Sequence, residues 1–555
     1  MKRNFYLIVL FIAQNCFPID FWDTMEREKL VNEMVSKMQD HELLGQMFMI
    51  SYPDQSITNF VLDFISKKNL GGIKIFGWNA KNLKNLTESI NKAQKISQNN
   101  KFKIPLFVAT DQEGGLAQHV KSNTSETIGN LGIAASLSPE DSYNTGYYIA
   151  QELSRLGINL NFAPIVDIYS DENNFTIGPR TYSDNPRIVS LLSLALYKGQ
   201  KQGGIISTAK HFPGHGNTDL DSHINIPIIN SNLLEINLNE LLPYKILIQE
   251  NIPVIMTGHL AYPKLTNGEN IPASSSTKII KDILRNKLKY NNIIITDDLL
   301  MNAAKYNNES IYNTIERIVR TKSDIFLISL NEKIQKNAYN MLLNLMKKDL
   351  EIKNNIIESN KRILRIKLTY LKENKNKSDL YPNFNKDEKI YSKEGEKFFE
   401  QNTLRGITKV RIEKEISKTK KTLIISPYYK MIIEGKKIFQ NTHAYYYDYY
   451  PLNGINSQKL NEIKNLIKKF EQVIFNLSTP GSLKYLENLE EYKDKISVIV
   501  SLTPQHIKKL NWIKNIVIIY GTTPLAFKSG FLTLTKDFDP KGTIPLRNII
   551  NKYYP

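Results

Sequence analysis

Between residues 40 and 330, short apolar runs alternate with longer amphipathic stretches, and this rhythm constrains the fold more than any other feature of the chain. The runs are QMFMISY (46–52), GGIKIFG (71–77), PLFVATD (105–111), INLNFAPIVD (158–167), GGIISTAKHF (203–212), VIMTGHL (254–260), IIITDDL (293–299) and SDIFLIS (323–329). Runs of this length, rich in Ile, Val and Phe, read as parallel strands buried on both faces. The segments between them, such as LTESINKAQKIS (86–97) and PEDSYNTGYYIAQELSRLG (139–157), space their apolar residues as helices do. Eight strands alternating with helices predict an α/β fold, a (β/α)8 TIM-type barrel of about 300 residues. An open doubly wound sheet is the competing arrangement, and the strand count favours the barrel.

Polar residues gather at the C-terminal ends of these runs: Asp111, Asp167, Lys210, His211, His259 and Asp297. Barrel active sites lie on that face. Residues 331–370 read as helical, so the barrel domain is assigned to 25–372. The polar stretch 373–389 reads as a linker. A smaller C-terminal α/β sandwich domain is expected over 390–555, with strands at TLIIS (422–426), QVIFNL (472–477), ISVIVSL (496–502) and IVIIYGTT (516–523). The tyrosine-rich THAYYYDYYP (442–451) reads as an extended strand with aromatic cover in preference to a carbohydrate-stacking surface.

The formal net charge is +18 over 555 residues, which raises the question of a nucleic-acid partner. The lysines come singly or in short pairs along the whole chain and form no basic stripe, so none is inferred. The single cysteine, Cys16, excludes an internal disulfide. Lys2 and Arg3 followed by the apolar run Phe5 to Ala13 fit a signal peptide over residues 1–18, since the run is too short to span a bilayer. Cys16 is then a candidate lipid-anchor residue, and membrane attachment would run through the N-terminus. The expected location is outside the cytoplasm, periplasmic or membrane-anchored, and cytoplasmic if the N-terminus is not a signal.

Three of the eight histidines fall in STAKHFPGHGNTDLDSHINIP (207–227). Metal binding is one reading, but the spacing matches no familiar ligand motif. Simple satisfaction of turns is another. The third is acid–base chemistry: Asp221 and His223 are two apart and share a face if the chain is extended. A carboxylate beside an imidazole fixes its tautomer and favours its charged form. Gly214 and Gly216 would let that loop move. A second element is IIITDDLLMNAA (293–304), where a buried strand ends in two aspartates. Asp297 suits a nucleophile, and Asp298 suits the N-cap of a helix that follows.

Taken together, DQEGG (111–115), NFAPIVDI (161–168), IGPRTYSDNP (177–186), KHFPGHGNTDLDSH (210–223), MTGHLAYPKL (256–265), PASSS (272–276) and TDDLLM (296–301) resemble glycoside hydrolase family 3, in its bacterial β-N-acetylglucosaminidase (β-N-acetylhexosaminidase) branch. The resemblance covers residues 40–370 and implies a retaining glycosidase with no metal or cofactor. Asp297 would form a covalent glycosyl-enzyme, with His223 paired to Asp221 as acid/base. Asp111, Arg180, Lys210 and His211 would bind the N-acetylglucosamine unit. The implied partner is a carbohydrate, a muropeptide or chitooligosaccharide, with peptidoglycan fragments as the expected substrate. The chain departs from the family pattern at His119 and at Pro179, where an arginine and an acidic residue are usual. A β-glucosidase of the same family, a metal hydrolase and a non-catalytic carbohydrate-binding surface protein are the alternatives.

Overall fold

The computed structural model describes residues 19–220, 222, 225–373, 377–384, 389–447 and 455–547. The expected signal segment 1–18 and the residues Asp221 and His223 lie outside the described residues, as does the end of the tyrosine-rich stretch.

Eight parallel strands form the first domain: β1 Phe48–Ile50, β2 Gly72–Ile75, β3 Phe107–Thr110, β4 Leu160–Asn161, β5 Ile206–Phe212, β6 Val254–Thr257, β7 Ile293–Thr296 and β8 Phe326–Ile328. They pair in sequence order, β8 lies beside β1, and a bridge between Ile295 and Ile325 joins β7 to β8, which closes the barrel. Each expected run contains its strand. Every residue of these strands is buried, which is why the runs are continuous rather than alternating. Outer helices such as Leu83–Asn99, Pro139–Arg155 and Pro186–Gln202 cover the barrel. The stretch 331–370 is two helices, Glu332–Met346 and Leu350–Leu368, because Asp349 Oδ1 caps the second through the N–H groups of Glu351 and Ile352.

The second sheet runs β9 Thr408–Ile412, β10 Thr422–Ser426, β11 Thr442–Tyr446, β12 Gln472–Leu477, β13 Ile496–Ser501 and β14 Asn515–Tyr520, in the spatial order β9-β14-β13-β12-β10-β11. All pairs are parallel except β9 with β14. Alternate residues feed two apolar layers: Leu423, Ile425, Val473 and Phe475 pack with Ile463 and Ile467 on one face. Ile424, Ile474, Ile499 and Val517 pack with Met431 and Phe531 on the other. The edge strand β9 escaped the sequence reading because TKVRI alternates charged and apolar residues and forms no apolar run. In the stretch read as a linker, Leu380 is buried and Asn91 Nδ2 donates to the Pro382 carbonyl at 2.8 Å, so its described part lies against the barrel.

The two domains meet beside the barrel mouth. Tyr169 and Thr503 hydroxyls are 3.2 Å apart, Lys508 pairs with Glu172 at 2.5 Å, and Arg405 holds Asp141 through two contacts of 3.0 and 2.6 Å.

Candidate functional site

A cavity of about 420 Å³ opens at the C-terminal ends of the barrel strands, and Asp111, Arg180, Lys210, His211 and Asp297 all border it. Five of the seven expected site residues therefore converge from β3, β5, β7 and the loop after β4.

Asp297 follows β7 directly. Its N–H donates to the Thr257 carbonyl at 2.9 Å, which extends the strand pairing by one residue, and its side chain lines the cavity. Oδ1 accepts the Asp298 N–H at 2.7 Å. Burial pushes the Asp297 carboxyl up, but the imidazoles of His211 and His259, the Lys74 ammonium and that N–H outweigh it and hold the group below the ordinary carboxylate value. An ionised carboxylate at the floor of a cavity is what nucleophilic attack at a sugar carbon needs. Asp298 turns elsewhere: its Oδ1 accepts the N–H groups of Leu300 and Ser329, each at 3.2 Å, so it secures a turn and no regular α-helix follows.

Asp111, Lys210 and Arg180 belong to one largely buried charge network with three residues outside the expected set. Lys210 Nζ lies 2.6 Å from both Asp111 Oδ1 and Glu113 Oε1. Arg180 grips Glu113 with Nε at 2.9 Å and a terminal nitrogen at 2.6 Å. Lys74 Nζ reaches Asp111 Oδ2 at 2.8 Å, and His119 Nε2 approaches the same oxygen at 3.4 Å. Burial alone would raise both carboxyls. Lys210 and Lys74 hold Asp111 well below its usual range, and Arg180 and Lys210 hold Glu113 below its own. The same pairing raises Lys210 against the pull of burial. Charges this deep persist only when paired. Glu113 is thus placed as a counterion to two cations. It sits on a short hairpin, Gln112–Gly114 with Ala117–Gln118.

His211 points Nδ1 at Asp167 Oδ2, 2.7 Å away, and the His215 N–H donates to Asp167 Oδ1 at 2.7 Å. His215 Nε2 lies 3.0 Å from the Ser222 hydroxyl. Burial drives His215 down to about 4, so it is neutral near pH 7. Ser222, the residue between Asp221 and His223 in sequence, borders the same cavity, and its carbonyl takes the Ala303 N–H at 3.4 Å. The loop thus touches the turn that follows Asp297. Gly216 is required by contact: an added Cβ would fall 1.5 Å from the Ile168 carbonyl oxygen. Among the described residues no group of three or more His, Cys, Asp or Glu side chains could hold a metal ion.

Sequence reasoning missed Lys74, the pairing of Glu113, and the aromatic residues Phe76 and Trp78 on the cavity wall. The alternation of Lys74, Phe76 and Trp78 along and beyond one strand was the available signal. Asp167 was visible only as one more polar strand end.

Residues 40–366 match the family model described as the glycosyl hydrolase family 3 N-terminal domain. Beta-hexosaminidase A of Pseudoalteromonas piscicida is 38% identical over 249 residues, which is 42% of this chain and 42% of that protein. Beta-hexosaminidase of Idiomarina loihiensis is 33% identical over 233 residues, 41% of this chain and 67% of that protein. The matched stretch therefore spans less than half the length of the Pseudoalteromonas relative. A solved fungal multi-domain GH3 beta-N-acetylglucosaminidase superposes with a TM-score of 0.83 at 25% identity, covering 92% of this chain and 60% of that one. A glycoside hydrolase family 3 beta-N-acetylglucosaminidase from a Paenibacillus species gives 0.83 at 24% identity over 92% of this chain and 99% of that one, a likeness of fold.

Proposed function

The chain belongs to glycosyl hydrolase family 3, and from that premise we propose that it is a retaining β-N-acetylhexosaminidase that releases terminal β-linked N-acetylglucosamine. The observation that carries the reading is Asp297: a half-buried carboxylate, held below its ordinary pKa at the end of a barrel strand, facing a cavity rich in hydrogen-bonding groups.

The proposed reaction has two steps. Asp297 attacks the anomeric carbon as the bond to the leaving oxygen breaks, giving a glycosyl ester. His223, oriented by Asp221, gives a proton to the departing oxygen and then takes one from the water that cleaves the ester. An imidazole in this role differs from the usual carboxylate pair of glycosidases. Ser222, between the two, is seated against the turn that follows Asp297, which supports bringing the dyad to the same cavity. Asp111, Lys210, Arg180 and His211 would position the sugar. Lys210 and Arg180 are already paired, so they offer their remaining donors in a fixed geometry.

Peptidoglycan fragments are the proposed natural substrate. Export through residues 1–18, with attachment at Cys16, is the proposed location. The test is mass spectrometry after exposure to a slow or 2-fluoro hexosaminide. A sugar adduct is expected on the peptide carrying Asp297, and aryl β-N-acetylglucosaminide should be cleaved in preference to aryl β-glucoside. An adduct elsewhere, or turnover retained by Asp297→Asn, overturns the assignment.

A further inference from the structure

Lys74, Phe76 and Trp78 line one wall of the cavity. Lys74 lies within β2, Phe76 follows just beyond its C-terminal end, and Trp78 sits in the turn that comes next, closed by the Asn79 and Ala80 N–H groups on the Phe76 carbonyl. The three stand in contact as a column. Lys74 Nζ is 2.8 Å from Asp111 at the floor and 4.4 Å from the centroid of the Phe76 ring. The Phe76 and Trp78 rings stack with centroids 4.4 Å apart and planes 6° from parallel. His119, itself close to Asp111, has its ring 5.2 Å from that of Phe76. Phe76 is therefore half-buried in the middle of the column, and Trp78 stands at the outer end.

The loop holding Trp78 is fixed. Trp78 Nε1 donates to the Tyr52 carbonyl at 3.0 Å. Asn79, fully buried beside it, donates from Nδ2 to the carbonyls of Tyr52 at 3.0 Å and Asp54 at 2.6 Å, and its Oδ1 accepts the Phe76 N–H at 2.8 Å. The single polar atom of the indole is thus satisfied by protein. What it offers the cavity is a rigid apolar surface, half-exposed, at the edge of a strongly polar floor. Such surface stays wet at a cost unless a ligand covers it. A pyranose ring suits the arrangement: its C–H face lies flat on an aromatic plane while its hydroxyls point outward to water.

The geometry points to a division of labour within the cavity. The charge network around Asp111 and Asp297 receives the terminal sugar, and the Phe76–Trp78 stack is a second subsite that receives a pyranose aglycone, the ring that departs on cleavage. This rests on the glycosidase reading above. It makes the enzyme selective for saccharide chains over simple alkyl glycosides.

The test uses the full chain with Asp297→Asn to silence turnover, titrated calorimetrically with N-acetylglucosamine and with its β-1,4-linked dimer. Adding Trp78→Ala is expected to weaken the dimer about tenfold while leaving the monosaccharide unchanged. Trp78→Phe should keep most of the dimer affinity. Unchanged monosaccharide binding also reports an intact floor, because Phe76 and Lys74 stand between Trp78 and Asp111. Equal weakening of both sugars, or of neither, overturns the aglycone subsite while leaving the hexosaminidase reading in place. Failure of the Asp297→Asn protein to bind either sugar overturns both.

Discussion

Nδ1 of His211 lies 2.7 Å from Oδ2 of Asp167, and both side chains are buried. The pairing fixes the ring and leaves Nε2 as the nitrogen available to the cavity. Asp167 also takes the His215 N–H, so one carboxylate orients the imidazole and anchors the loop that follows β5.

Asp167→Asn keeps the shape of this contact and removes its charge. The loss of a charge-assisted hydrogen bond is worth about 1.5–3 kcal/mol, so kcat/KM on an aryl N-acetylglucosaminide is expected to fall about tenfold to a hundredfold. An unchanged value would show that His211 is held by its surroundings alone.

Glu113 pairs with Arg180 and Lys210 at the cavity wall, where the Glu113 and Lys210 side chains are almost wholly buried. Glu113→Gln leaves Lys210 with Asp111 as its remaining carboxylate, and leaves Arg180 with no carboxylate within 4 Å among the described residues. Breaking a buried pair in this way costs about 3–5 kcal/mol, read as a lower urea midpoint at pH 7. The carboxyls of Asp111 and Glu113 are depressed in the folded protein, so the unfolded chain takes up protons first as pH falls through about 4. Their stabilisation is present above that pH and is lost below it. The wild type should lose more stability than Glu113→Gln between pH 5 and pH 3.

A second pH window belongs to His215 and His506, both driven down by burial to about 4. The unfolded histidine binds a proton near its ordinary value of 6.5, while the folded one stays neutral to about pH 4. Stability therefore declines as pH falls from about 6.5 towards 4. His506 stacks on Phe175 at 6.2 Å, and its Nε2 has no partner among the described residues. His506→Gln is expected to show a smaller drop in urea midpoint between pH 7 and pH 5 than the wild type. An identical drop would assign the window to other groups.

Gly216 meets the Ile168 carbonyl so closely that any side chain must displace backbone. Overpacking of this kind costs about 1–3 kcal/mol. Gly216→Ala should lower both thermal stability and turnover, because the Asp171 N–H also bonds the Gly216 carbonyl at 3.0 Å and ties this loop to the one leading to Arg180. A stable, fully active variant would return the glycine to the mobile role suggested by its sequence context.

The barrel was legible because strand burial on both faces writes itself locally: Ile293, Ile294 and Ile295 must all be apolar, whatever surrounds them. Asp111, Lys210, His211 and Asp297 were legible because they stand at strand ends, where the cavity of such a barrel must lie. Strand β9 was not, since an edge strand with Lys409 and Arg411 has no continuous apolar run.

Local periodicity and motif spacing, then, settled the architecture and which polar residues reach the mouth. Which charge partners which was decided only by closure of the barrel. Glu113 meets Arg180 across 67 residues and Asp111 meets Lys210 across 99, contacts for which no local pattern exists. The Trp78 stack likewise acquires its place only once β2 stands beside β3 and Lys74 faces Asp111. Burial selects these pairings strongly, because leaving one charge unpaired at that depth costs about 3–5 kcal/mol.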